Sequence, residues 1–149
     1  MHRKSWAQRQ MATIYSLANF AGSWSERTEN CPDFRTCDST IGDNVVSSTC
    51  VTGIWIFYSE RNYNSGDFGT VEWVFGDNYC WNLGPTDNDV SSLRYVGRQD
   101  NWKEDAITLY GLTVFAGSAH LDLIDSSNVP MSSVQSIIIS GESDWTVYS

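Results

Sequence analysis

Three stretches of this chain share one spacing. ATIYSLANFAGS opens at Ala12, IWIFYSERNYNSG at Ile54 and AITLYGLTVFAGS at Ala106. In each, an aromatic residue is followed by four others, a second aromatic and, shortly after, a glycine. The triplets are Tyr15, Phe20 and Gly22; Tyr58, Tyr63 and Gly66; Tyr110, Phe115 and Gly117. A glycine at that place takes positive φ at no steric cost, so a hairpin can fold back over the strand before it. The two aromatics then meet across the fold. Each opening is followed by a serine pair that enters an apolar run, at Ser47-Ser48, Ser91-Ser92 and Ser132-Ser133. A spacing repeated in this way points to copies of one supersecondary unit stacked on each other.

The periodicity within the units is that of strands. GIWIFYS (Gly53 to Ser59), GTVEWVFG (Gly69 to Gly76), AITLYG (Ala106 to Gly111), VQSIIIS (Val134 to Ser140) and DWTVYS (Asp144 to Ser149) are short and rich in β-branched and aromatic residues. Turn-forming residues bound each of them. No window carries a convincing helical repeat. Many short strands with regular turns predict an all-β sandwich or barrel.

Charge narrows the partners. The chain has a net charge of −9, although Arg3, Lys4 and Arg9 stand in the first ten residues without an acid. The rest is therefore more acidic still. Such a body repels phosphate backbones, which argues against nucleic-acid binding, and attracts cations. Residues 1–10 read as a disordered tail. No stretch approaches the length of a membrane span, and the N-terminal residues lack the apolar core of a secretion leader.

Cys31, Cys37, Cys50 and Cys80 contain no Cys-x-x-Cys, and neither histidine lies near them. This spacing argues against a zinc site. Four thiols or two disulfides both remain open, with the short loop CPDFRTC a natural place for a staple. Two bridges would imply an oxidising compartment. Localisation is otherwise unassigned.

From Ala12 onward the chain resembles the βγ-crystallin superfamily. Its Greek-key unit has the pattern aromatic-x4-aromatic-x-Gly near its start, and a serine in its second half bonds back to the folded hairpin. The resemblance implies a βγ-crystallin-like Greek-key β-sandwich, with one complete two-motif domain at 11–97 (motifs 11–53 and 54–97). A polar linker follows at 98–105, then a third, unpaired Greek-key motif at 106–149. Departures are visible. Ser65 stands where the family has glycine, with Gly66 one place later, and the first unit carries extra length that holds Cys31 and Cys37. WTVYS aligns with WIFYS and reads as the first strand of a fourth unit. The third motif should bury its apolar face against a second copy of the chain, as a homodimer, or against the first domain.

The same resemblance gives a meaning to two near-copies, DNVVSS from Asp43 and DNDVSS from Asp87. In the family, Asn/Asp-Asn/Asp-x-x-Ser/Thr-Ser is a calcium-binding signature whose two loops share ligands. It implies a first ion held by Ser47 Oγ, the carbonyls of Val45 and Ser16, and the side chain of Asn88. The second would use Ser91 Oγ, the carbonyls of Asp89 and Ser59, and the side chain of Asn44. Calcium is a hard ion that takes six to eight oxygens, so hydroxyls, amides and carbonyls suit it. Asp43 and Asp87 would add field or orient the loops. The plain alternative is that these are turn and strand-entry residues. In the third unit, SSNVPMSS has Val129 and Pro130 where the signature needs a polar residue and a pliable loop, so no site is expected there. The family's strand exchange also implies that Cys50 and Cys80 are neighbours able to bridge, the rival being two reduced core thiols.

Enzyme chemistry finds little support. His120 and Asp122 would share one face of a strand as a surface pair, and no phosphate-binding loop or nucleophile motif is present. Trp55 and Trp145 occupy matching unit positions and read as core. Trp24, Trp81 and Trp102 are candidates for a sugar- or lipid-contacting surface. The function expected is calcium binding in a structural or stress-type role. The rivals are a secreted inhibitor or toxin using the Cys31–Cys37 insertion, and a calcium-assisted lectin.

Overall fold

The computed structural model describes residues 9–149. Residues 1–8 of the expected tail lie outside this range. The tail reading is too long at its other end. Gln10 is fully buried, and its side chain accepts from Ile54 N and donates to the carbonyls of Val96 and Arg98. Its amide side chain lies over Gly53, at φ +108°, where any Cβ would collide with it. A residue with three such partners belongs to the domain.

Eight strands carry the fold among the described residues: β1 (Met11–Leu17), β2 (Ala21–Arg27), β3 (Ser48–Tyr58), β4 (Val71–Asn82), β5 (Ser92–Tyr95), β6 (Ala106–Tyr110), β7 (Ala119–Asp122) and β8 (Ser136–Ser140). Two short turns are helical, α1 (Phe34–Cys37) and α2 (Arg61–Asn64). The architecture is all-β with antiparallel sheets, as the sequence predicts.

β3 belongs to two units at once. Its first half pairs with β1 and with the far end of β4, Tyr79 to Asn82. Its second half pairs with the near end of β4 and with β5. Gly53 marks the change, where the β3–β4 register shifts. Unit two thus lends a strand end to unit one. Unit one returns the exchange more briefly, through a single bridge between Cys31 and Leu93. This weave sets Cys50 directly opposite Cys80, and the two are joined as a disulfide. Cys31 and Cys37 form the second bridge across α1.

Alternation along these strands fills a core between the two units. Ala12, Ile14, Val51, Trp55, Phe57 and Leu93 are buried in one cluster. Each fully buried aliphatic or Phe side chain contributes roughly 1.5–3 kcal/mol. The opposite face of β3 is not left to solvent. Ile56, Tyr58 and Val96 pack with Tyr110 and Ala116, so the third unit seats on the second. Of the two covers expected for that unit, the first domain supplies one.

The three hairpins are copies in detail. Tyr15 meets Phe20, Tyr58 meets Tyr63 and Tyr110 meets Phe115, each edge to face with centroids 6.1, 5.6 and 5.6 Å apart. The second aromatic and the residue before it have positive φ in every unit: Asn19 and Phe20, Asn62 and Tyr63, Val114 and Phe115. Bulky residues avoid that region. A serine clamp holds them there. Ser48 Oγ accepts from Phe20 N and donates to Leu17 O. Ser92 does the same with Tyr63 N and Glu60 O.

Three local expectations need correction. In unit three the clamp is Ser136, which bonds Phe115 N and Leu112 O, while Ser132 and Ser133 are exposed. The match extends to the preceding residue, since Gln135 N donates to Tyr110 O as Ser47 N does to Tyr15 O. In unit two the hairpin glycine is Gly69 at φ +112°, not Gly66, because the turn is longer. A Cβ on Gly69 would come within 2.8 Å of Ser59 Oγ, so only glycine lets the hairpin close. Finally, Asp144 to Ser149 forms no strand, and Trp145 is half-buried where Trp55 is fully buried. No described strand pairs with that segment; the residues just before it are tied to Asp105, whose carboxylate accepts from Glu142 N.

Candidate functional site

The two Asp-Asn loops lie side by side. Ser47 Oγ donates to Asn88 Oδ1 at 3.0 Å, and Ser91 Oγ donates to Asn44 Oδ1 at 3.1 Å. Backbone bonds repeat the exchange: Asn88 N to Val46 O, and Asn44 N to Val90 O, both at 3.0 Å. Each loop therefore reaches into the other at equivalent positions. The asparagines sit at φ +59° and +55°. Asn is among the few residues that tolerate this conformation, so its place in both loops has a backbone reason as well as a chemical one.

The other expected site residues fall nearby. Ser47 N donates to Tyr15 O at 2.9 Å and Ser91 N to Tyr58 O at 2.8 Å, which sets Ser16 and Ser59 next to the serines of their own units. The hydroxyls of Ser16 and Ser59 are occupied, accepting from Ser23 N and Thr70 N to close the hairpins. Their carbonyls are what they can offer. Ser16 has no partner in the β1–β2 register, which shifts there, and such a bulge turns a carbonyl out of the ladder. Val45 is half-buried and Asp89 exposed.

Asp43 adds a pointed observation. Its Oδ1 is buried and has no hydrogen-bond partner among the described residues. A carboxylate oxygen in that state carries a desolvation cost unless a cation or water meets it. The oxygens gathered here are hydroxyl, amide, carbonyl and carboxylate, without nitrogen or sulfur. That set fits a hard cation such as calcium. It is not an acidic cage: among the described residues no three His, Cys, Asp or Glu side chains gather at one point.

Sequence reasoning missed the groups that hold the loops up. Glu72, on the inward side of β4, accepts from Trp81 Nε1, Gly84 N, Thr86 N and Thr86 Oγ1. It fixes the turn that leads into Asp87. Asp38 serves the first loop, accepting from Ser25 Oγ, Thr40 N and Ile41 N. An acid between the apolar residues of a strand pattern was the available signal for Glu72.

A family model, beta/gamma crystallin, matches residues 11–96, which is more than half of the chain and spans both loops. The chain belongs to the beta/gamma crystallin family. Among solved structures, Geodin, a beta-gamma crystallin from Geodia cydonium, superimposes with a TM-score of 0.67 over 88% of this crystallin and 72% of Geodin. At 23% identity that likeness speaks for the fold. A betagamma-crystallin from an archaeon aligns with 59% of this chain and 99% of its own, at 25% identity and a TM-score of 0.38, too low to bear on the argument. No curated protein matches.

Other expected features of the crystallin separate. His120 Nε2 and Asp122 Oδ1 do pair, at 3.0 Å, on one face of β7. Trp24 and Trp81 do not share a surface, because β1 and β3 lie between their strands. Trp81 instead has Trp73, Phe75 and Tyr79 beside it along β4, all at least 45% exposed. Tyr79 and Trp81 are stacked.

Proposed function

We propose that this crystallin binds two calcium ions through its paired loops and serves as a structural, non-catalytic protein whose stability rises with calcium. The observation that carries the reading is the reciprocal pairing of Ser47 with Asn88 and Ser91 with Asn44. Each pair brings together the two side-chain oxygens that one ion would share. The first ion would take Ser47 Oγ, Asn88 Oδ1 and the carbonyls of Val45 and Ser16, while Asp43 and Asp87 would add field or orient the loops. The second would take Ser91 Oγ, Asn44 Oδ1 and the carbonyls of Asp89 and Ser59. Amides in place of carboxylates keep the ligand charge low, which corresponds to micromolar to sub-millimolar affinity.

An ion held by both units braces one against the other. Free calcium at a hundred times the dissociation constant would stabilise the fold by about 2.7 kcal/mol per site. Thermal unfolding in calcium and in chelator tests this. A rise in Tm with calcium that disappears in the Ser47→Arg, Ser91→Arg double variant supports it. Equal melting in calcium and chelator would remove it.

The two disulfides favour work in an oxidising compartment. One observation favours a second reading, a calcium-assisted lectin: the exposed aromatic row Trp73, Phe75, Tyr79 and Trp81 on β4. Binding to a glycan array that Trp81→Ala abolishes would select it.

A further inference from the structure

Arg94 is a buried cation without an acid. It is 5% exposed, yet no carboxylate comes within ion-pair distance of it among the described residues. Its guanidinium lies over the rings of Tyr63, Tyr110 and Tyr58 at 4.3, 5.0 and 5.3 Å. Nε donates to Tyr58 Oη and Nη2 to Phe115 O, each at 3.0 Å. The ring faces and these two bonds offset part of the desolvation of the charge. Nη1 has no bond to a described residue.

A second group beside it is also unmet. The Tyr110 hydroxyl is buried and has no hydrogen-bond partner among the described residues, although Tyr110 itself is 0% exposed. Burial pushes its ionisation above the ordinary tyrosine range, so it stays an O–H donor. Both residues line one open cleft of about 380 Å³ between the first two units and the third. Tyr63, Tyr95 and Leu121 also line it and give it aromatic and apolar walls. A cleft whose lining holds an unpaired cation and an unmet O–H is complementary to a single negative charge.

We propose that this cleft binds a small organic carboxylate with a flat apolar body. The carboxylate would take N–H from Arg94 and O–H from Tyr110, and the body would lie along Tyr63 and Tyr95. Two facts favour this class over an inorganic oxyanion. The cleft is larger than a bare ion requires, and a chain of net charge −9 repels multiply charged anions more than single ones.

The test uses benzoate, inorganic phosphate and benzyl alcohol as probes of the full chain, followed by NMR at the Arg94 Nε–H and the Tyr110 ring. Benzoate should shift both resonances saturably with one molecule bound, while phosphate and benzyl alcohol leave them in place. Tyr110→Phe keeps the ring and removes only the unmet hydroxyl. It should melt no lower than the parent chain and bind benzoate about tenfold more weakly, the loss of one charge-assisted bond. Absence of a saturable benzoate shift, phosphate binding as strong as benzoate binding, or unchanged affinity in Tyr110→Phe would each overturn the proposal.

Discussion

Ser47 of the first unit and Asn88 of the second lie 3.0 Å apart, hydroxyl to amide oxygen. The pair crosses from one unit to the other, so each half of a candidate ion site is built by a different stretch of sequence. Charge at the amide position should then set affinity. Asn44→Asp with Asn88→Asp places a carboxylate where each ion would sit. Calcium affinity should rise by about tenfold per site. In chelator the variant should melt lower than the parent, because new carboxylates face Asp43 and Asp87 without a counter-ion. Calorimetry and paired melts measure both effects.

The serine clamp gives a sharp comparison. Ser136 Oγ bonds both Phe115 N and Leu112 O, whereas Ser133 is exposed. Ser136→Ala should cost about 1–3 kcal/mol, since it strands a buried donor and relaxes a positive-φ turn. Ser133→Ala should stay within about 0.5 kcal/mol of the parent. Urea unfolding of the two variants checks the assignment, and equal costs would refute it.

Val114 holds a backbone conformation that suits it poorly. Its φ is +51°, it is 50% exposed, and the equivalent residues in the other units are Asn19 and Asn62. Val114→Asn should stabilise the chain by about 1 kcal/mol, because Asn visits this region easily and little burial is lost. Thermal unfolding would show it as a higher Tm.

The two disulfides should differ in worth. Cys50–Cys80 closes a separation of 30 residues and Cys31–Cys37 one of 6. On the loop-closure model the first is worth about 3–4 kcal/mol and the second about 2 kcal/mol. Paired Cys→Ala variants, unfolded in denaturant, should rank in that order. The Cys50–Cys80 variant should also respond less sharply to calcium, since that bridge holds the strands leading to both loops in register.

Much of this was legible because the repeat is local. The spacing of Tyr15 and Phe20, or of Tyr110 and Phe115, is set by one hairpin, and hairpin chemistry is written within a few residues. The Asp-Asn loops were legible for the same reason. What the sequence concealed was non-local or ambiguous. Ser132-Ser133 imitated the clamp that Ser136 provides, and nothing within the stretch separates the two. Gly66 drew attention from Gly69 because a hairpin can lengthen without losing its pattern. Glu72 and Arg94 are charged residues within apolar strand patterns, and nothing nearby in sequence marks them as buried. Their burial depends on the turn at Gly84 and on the third unit, both distant in sequence.

The most direct measurement is a calorimetric count of calcium bound by the intact chain. The account predicts two ions per chain, neither binding once both Ser47 and Ser91 are replaced by Arg. No measurable heat in the parent chain, or binding that survives the double replacement, would contradict it.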